Sequence, residues 1–126
     1  MSNETIKSAS TYFLFTAILG GFFHAGLLFL VFQAGTAGFA VSLRNAGVVS
    51  AETAHVLGLA IHLAGMVISL LVGIGALSIR KRPGRTKGVI LAIGVSLPAI
   101  SPFFGLAFPL GIWALVKFLR YNEKEL

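Results

Sequence analysis

The chain has 126 residues, is 56% apolar and only 11% charged, and has a mean hydropathy of +0.92. A soluble domain carries about 25% charged residues, and so short a chain has too little interior to hide this much apolar surface, so lipid is the expected solvent. There is no cysteine, which excludes disulfides, thiolate nucleophiles and Cys-ligated zinc or iron–sulfur centres, and the net charge of +6 is clustered at the ends of apolar runs, which argues against a nucleic-acid partner.

Met1–Thr11 is polar, with Lys7 its only base and Glu4 its only acid, and reads as a frayed start or brief interfacial turn. Tyr12–Phe32 is the first apolar run and carries no charge. At 1.5 Å per residue it reaches about 30 Å, the thickness of a bilayer's hydrocarbon core. It is too long for the h-region of a signal peptide and only one base precedes it, although Gly38-Phe39-Ala40 has the small residues of a cleavage site. Phe13, Phe15, Phe22, Phe23, Phe29 and Phe32 are expected to face lipid or a neighbouring helix. Gly20, Gly21, Ala25 and Gly26 would permit close helix approach.

Residues 33–53 read as an outer-side loop with a short helix around Phe39–Asn45 at the interface. Such a loop is long for a compact hairpin. Ser50-Ala51-Glu52-Thr53 has the form of a helix start, with Ser50 as cap and Glu52 at the positive end of the dipole. The second run, Ala54–Ile79, is long enough to span with some tilt.

It ends at Arg80-Lys81-Arg82-Pro83-Gly84-Arg85-Thr86-Lys87, which holds five of the ten bases. Pro83 suits the first turn of a third helix. That helix runs to about Leu97 and reaches across only if it continues, kinked, past Pro98. Ser101-Pro102 then reads as N-cap and first residue of a fourth helix, Phe103–Leu119, kinked at Pro109. Trp113 falls in its inner half, and Tyr121 at the inner boundary fits an aromatic belt.

The expected fold is all-α: one transmembrane domain over 1–126, a four-helix bundle of two helical hairpins with spans at about 12–32, 54–79, 84–100 and 102–120. Four spans gather Lys7, Arg80, Lys81, Arg82, Arg85, Lys87, Lys117, Arg120 and Lys124 on one side and leave only Arg44 on the other. The positive-inside rule makes the first side, with both termini, cytoplasmic in a bacterial-type inner membrane. A three-span thread would put Lys117, Arg120 and Lys124 outside, against that rule. A re-entrant third and fourth pair would give the same charge split.

The three histidines are the candidates for a titratable or ligand site within or near the bilayer. His24 lies eight residues before the end of the first run and His62 eight after Ala54, so antiparallel helices set them at one depth, about 12 Å below the outer boundary. His55, two turns before His62, shares its face near the outer interface. Two readings stand beside each other. His24 and His62, with His55 as a further candidate, hold a haem or chlorophyll-type pigment or serve a proton or quinone site. Alternatively they hydrogen-bond across helices in a polar seam, the commoner arrangement. No span contains a carboxylate to relay a proton, which weakens pump and transporter readings. No catalytic or metal-ligating set is apparent.

Small residues recur at helical spacing: Gly58, Gly65, Ser69 and Gly73 on the second helix with His62, Gly84, Gly88, Ala92 and Ser96 on the third, Ala107 and Gly111 on the fourth. Such seams let backbones approach in lipid, where the hydrophobic effect no longer drives helices together. Gly84 to Gly88 lacks the GxxxxGK[ST] pattern of a phosphate loop. Arg80, Lys81, Arg82, Arg85 and Lys87 are expected to fix topology and touch anionic lipid headgroups, with docking of an acidic cytoplasmic partner as the alternative.

From Leu70 onward the chain resembles a loose group of small four-span bacterial membrane proteins. The resemblance rests on Val72-Gly73-Ile74-Gly75-Ala76-Leu77, the basic turn, Pro98-Ala99-Ile100-Ser101-Pro102 and Phe108-Pro109-Leu110-Gly111-Ile112-Trp113-Ala114-Leu115, a "PxGIWAL"-type ending. It implies the architecture and brings no activity or site residues with it; the histidines lie outside it. The expected function is non-enzymatic, a structural or accessory subunit packing through its small-residue seams against a larger membrane complex. A His-ligated redox or pigment subunit is the first alternative, and a small pore or transporter the second.

Overall fold

The computed structural model describes residues 2–97 and 104–121. They form α1 (Asn3–Ala34), α2 (Phe39–Asn45), α3 (Ala51–Lys81), α4 (Arg85–Ser96) and α5 (Phe104–Leu119), with no strand among the described residues. The fold is therefore all-α, with four helices of 12 residues or more and the short α2 between the first two of them.

The start of the chain is not the frayed segment its polarity suggests; it is the first turns of α1. Ser2 caps the helix, its Oγ accepting the Thr5 N–H at 3.2 Å, and Glu4 sits in the first turn where the dipole favours an acid. Ile6, Ala9, Ser10 and Phe13 form a buried stripe at helical spacing, and Ser10 Oγ donates to the Ala76 carbonyl at 2.8 Å. Lys7, Ser8 and Thr11 between them are exposed. A helix needs only one such stripe to pack, and a reading by average polarity passes over it.

α1 and α3 run antiparallel, tied by Ser10 to Ala76 at one end, by His24 to His62 midway and by Thr36 to Ala54 at the other end. Ser50 caps α3 through a 3.2 Å bond from the Thr53 N–H, and the helix passes Ile79 to end at Lys81. Arg80 and Lys81 in its last turn complement the negative end of the dipole. Pro83 is not in the first turn of the next helix: Gly84 is the N-cap of α4 and Pro83 stands just before it. α4 ends at Ser96, giving about 18 Å of helix. The expected turn at Pro98 and the Ser101-Pro102 cap lie outside the described residues, as does Lys124. α5 runs uninterrupted through Pro109.

α1 packs along α3, α4 along α5, and α3 also touches α4 and α2. The four-helix core draws on α1 from Ala9 to Ala17, on α3 from Ile68 to Ile79, and on α4 and α5 through Leu91, Ala92, Val95, Ala107, Ala114 and Phe118. Phe13 stacks on Phe118 with ring centroids 6.3 Å apart, and Tyr12 Oη donates to the Ala107 carbonyl at 3.0 Å. Tyr121 does not belong to an outward belt: it is buried and meets Phe118 edge-on. Beyond this core α1 and α3 continue as a pair, closed off by α2.

The exterior is apolar. Phe22 is 77% exposed, and Phe15, Phe29, Phe32, Leu70 and Leu71 are exposed as well. Among the described residues two stretches, Asn3–Asn45 (α1 and α2 together) and Ala51–Lys81, are long and apolar enough to cross a bilayer; α5 contributes a shorter apolar helix, Leu106–Leu119.

Candidate functional site

Most of the small residues singled out in the sequence lie where helices of this chain meet; Gly26 does not, being exposed with no neighbouring helix against it among the described residues. On α3, a Cβ added to Gly58 would stand 3.0 Å from Val31 Cγ2, and one added to Gly65 would stand 2.5 Å from three atoms of the His24 ring. Ser69 is buried beside Gly21, and Gly73 faces Ala17. Between α4 and α5, Gly88 lies under the Phe118 ring and Gly111 against Ser96 Oγ, which itself donates to the Ala92 carbonyl at 2.7 Å. Ala92 and Ala107 are buried, while Gly84 caps α4. Gly75, outside the expected seam, is filled by Leu91. These stripes are thus occupied internally.

The bases gather at one end. Arg80 and Lys81 close α3, Arg82 is its C-cap, and Arg85 opens α4, so only Arg82 to Gly84 separate the helices. Arg80 donates to Thr11 Oγ1 on α1, and Lys87 Nζ to Ser78 Oγ at 3.1 Å. All five bases of the turn are exposed. Arg44 lies on α2, at the opposite end of the α1–α3 pair.

Midway along the pair, in the half toward that end, the structure brings His24 and His62 together. Both are buried, at 3% and 4% exposure, and their Nδ1 atoms are 3.1 Å apart. One ring must carry its proton on Nδ1 and the other must present a lone pair there. His62 also hydrogen-bonds the backbone of Ala37. Its Nε2 edge faces Gly38, where a Cβ would come within 3.0 Å. Gly38 has φ +63°, so a side chain there meets both a strained backbone and the His62 ring.

The residues that hold this segment were not evident in the sequence. Thr36 is buried, and its Oγ1 donates to the Ala54 carbonyl at 2.9 Å. Gly35 ends α1 in the left-handed conformation, its N–H bonded to the Val31 carbonyl at 2.9 Å. His55 does not join the histidine pair; its Nδ1 meets the Gly35 carbonyl at 2.6 Å. Residues 35–38 are therefore fastened to α3 by His55, Thr36 and His62. The one hint in the sequence was Gly-Thr-Ala-Gly directly after an apolar run, a turn signal flanking a hydroxyl. Thr36→Val keeps the shape and removes the donor. It should lower stability in mild detergent by about 1 kcal/mol, read as a drop in apparent Tm, and an unchanged Tm would show that the bond holds nothing down.

This geometry suits a hydrogen-bonded clamp. The two Nδ1 atoms bond each other directly at 3.1 Å, so each ring spends that nitrogen on the other. Among the described residues no group of three His, Asp or Glu side chains is placed to hold a metal.

Fold and site together define a small helical protein with an apolar exterior, one basic end, and a buried histidine clamp in the other half. No protein family, curated protein or solved structure matches the chain.

Proposed function

We propose that the chain is a non-enzymatic integral membrane protein, a bundle of two helical hairpins that serves as an accessory subunit of a larger membrane assembly. The observation that carries this reading is the apolar exterior. Large side chains such as Phe22, Phe29, Phe32, Val56 and Leu70 stand exposed, while Ser10, His24, His62 and Ser69, the polar side chains within the apolar stretches or beside them, are buried. In water an exterior of this kind drives aggregation; in lipid it is the ordinary arrangement. The basic end is cytoplasmic on this reading, since among the described residues Arg44 is the only base remote from it. The C-terminal resemblance to small four-span bacterial membrane proteins agrees with an inner-membrane setting.

With the seams filled internally, a partner would meet the exposed aromatic and aliphatic faces instead. The outer half of the α1–α3 pair is the part that the four-helix core leaves bare, with Phe29, Leu30, Phe32 and Val56 exposed there. Extraction in a mild detergent followed by affinity purification should recover a larger membrane protein in stoichiometric amount. Recovery of the chain alone, as a monomer or as copies of itself, would overturn the accessory role.

A further inference from the structure

On one flank of the α1–α3 pair lies an open apolar groove of about 640 Å³, its floor formed by Ala17, Gly21 and Ala25 and its walls by Phe22, Leu70 and Leu77. The lining runs along α3 from Leu63 to Leu77, about 21 Å of helix, against a leaflet depth of about 15 Å. On α3 it faces away from the four-helix core, since the core residues Val72, Ala76 and Ile79 lie on other faces from Leu63, Leu70 and Leu77; on α1 it adjoins the core at Ala17.

Helical periodicity fixes what stands at the groove's basic end. On α1 the lining positions Ala25, Gly21 and Ile18 continue through Leu14 and Thr11 to Lys7. On α3, Ile74 and Leu77 continue to Lys81, with Arg80 beside it. Arg80 already reaches across to Thr11, so the two helices are joined at this mouth. Lys7, Arg80 and Lys81 are all exposed. Glu4, a further turn out, is the one acid on this line, and three bases outnumber it.

We propose that the groove is a binding site for an anionic phospholipid, with an acyl chain along Ala17, Gly21 and Ala25 and its phosphate held by Arg80 and Lys81, with Lys7 beside them. The inference rests on the membrane reading above and adds to it a ligand class and a site. The apolar trough alone would accept any chain or helix. The basic mouth at one end selects an amphiphile with a negative head and an apolar tail. Arg80, anchored by Thr11, presents its remaining guanidinium donors in the fork geometry that suits phosphate oxygens.

The test uses the full chain purified in a mild neutral detergent, where threading direction plays no part. Phosphatidylglycerol and phosphatidylcholine with identical acyl chains are added, and retained lipid is counted by native mass spectrometry while Tm is followed. Phosphatidylglycerol should be retained preferentially and raise Tm, and inorganic phosphate should neither do so nor compete. Taking the usual contribution of each base near a lipid surface, Arg80→Gln with Lys81→Gln should weaken phosphatidylglycerol retention about thirty-fold and leave phosphatidylcholine unchanged. Ala25→Phe, which fills the trough away from the bases, should abolish retention while keeping the lipid-free Tm.

Equal retention of the two lipids by the unaltered chain overturns the headgroup site. Unaltered retention in Ala25→Phe moves the lipid elsewhere and overturns the groove assignment, as does cross-linking of Gly21→Cys to a second copy or to another membrane helix. Failure of the membrane reading looks different: the protein would then be missing from carbonate-washed membranes before any lipid is added.

Discussion

Gly88→Ala should destabilise the bundle by at least 1–3 kcal/mol, the usual cost of overpacking, and Gly88→Val by more. A Cβ at this position would overlap the Phe118 ring at Cγ, Cδ1 and Cε1. The ring cannot step aside: Phe118 is fully buried, stacked on Phe13 from α1 and met edge-on by Tyr121. A one-carbon change on α4 therefore pushes α5 away and is felt through to α1. The general helix preference for alanine over glycine, roughly 0.5–1 kcal/mol, works in the opposite direction and is too small to offset the clash.

Gly26→Ala supplies the control, because among the described residues no packing neighbour lies within 4 Å of a Cβ built there. Its Tm should stay level or rise. Trp113, the only tryptophan, sits on α5 and reports the displacement through its fluorescence. Adding Phe118→Leu to Gly88→Ala should recover part of the loss. If Gly88→Ala melts with the unaltered protein, the close approach of α4 and α5 is not a feature of the folded state.

The same contact shows what the sequence could and could not reveal. Spacing of four residues marked Gly88, Ala92 and Ser96 as one face, because helical period and residue size are both visible in a sequence. Which side chain fills a given gap is not visible. Phe118 over Gly88 and Leu91 over Gly75 depend on how far the helices slide past one another. The short helix Phe39–Asn45 and the Ser50 cap were legible because they rest on local chemistry. The first turns of α1 were not, since the residues that make Ile6, Ala9 and Ser10 a buried stripe belong to other helices. For the candidate site, equal depth of His24 and His62 followed from counting along two antiparallel helices. That they bond each other, and that the turn at 35–38 is tied down beside them, depends on rotamers and on the positive φ of Gly35 and Gly38.

His24→Leu and His62→Leu should each destabilise the protein, and the double replacement should cost less than the two singles added together. Each single change leaves a buried Nδ1 facing a hydrocarbon side chain, an unmade bond worth about 1–3 kcal/mol in a protein interior and about 0.6–2 kcal/mol between helices in lipid. His62→Leu additionally releases the backbone of Ala37 and hence the turn that closes α1 onto α3. The double change removes donor and acceptor together, so the Nδ1–Nδ1 term should vanish and leave a coupling of roughly 0.5–3 kcal/mol in the cycle. Unfolding in mixed micelles, monitored by circular dichroism, gives the four free energies. Additive losses would mean that the two rings do not share a bond. An absorption spectrum of the same four proteins separates the clamp from a pigment site, because a ligated haem or chlorophyll-type group would show a visible band in the unaltered protein and lose it in either single variant. The clamp predicts no such band and a coupling that survives in colourless protein. The 3.1 Å contact, with each Nδ1 already engaged by the other ring, favours that outcome.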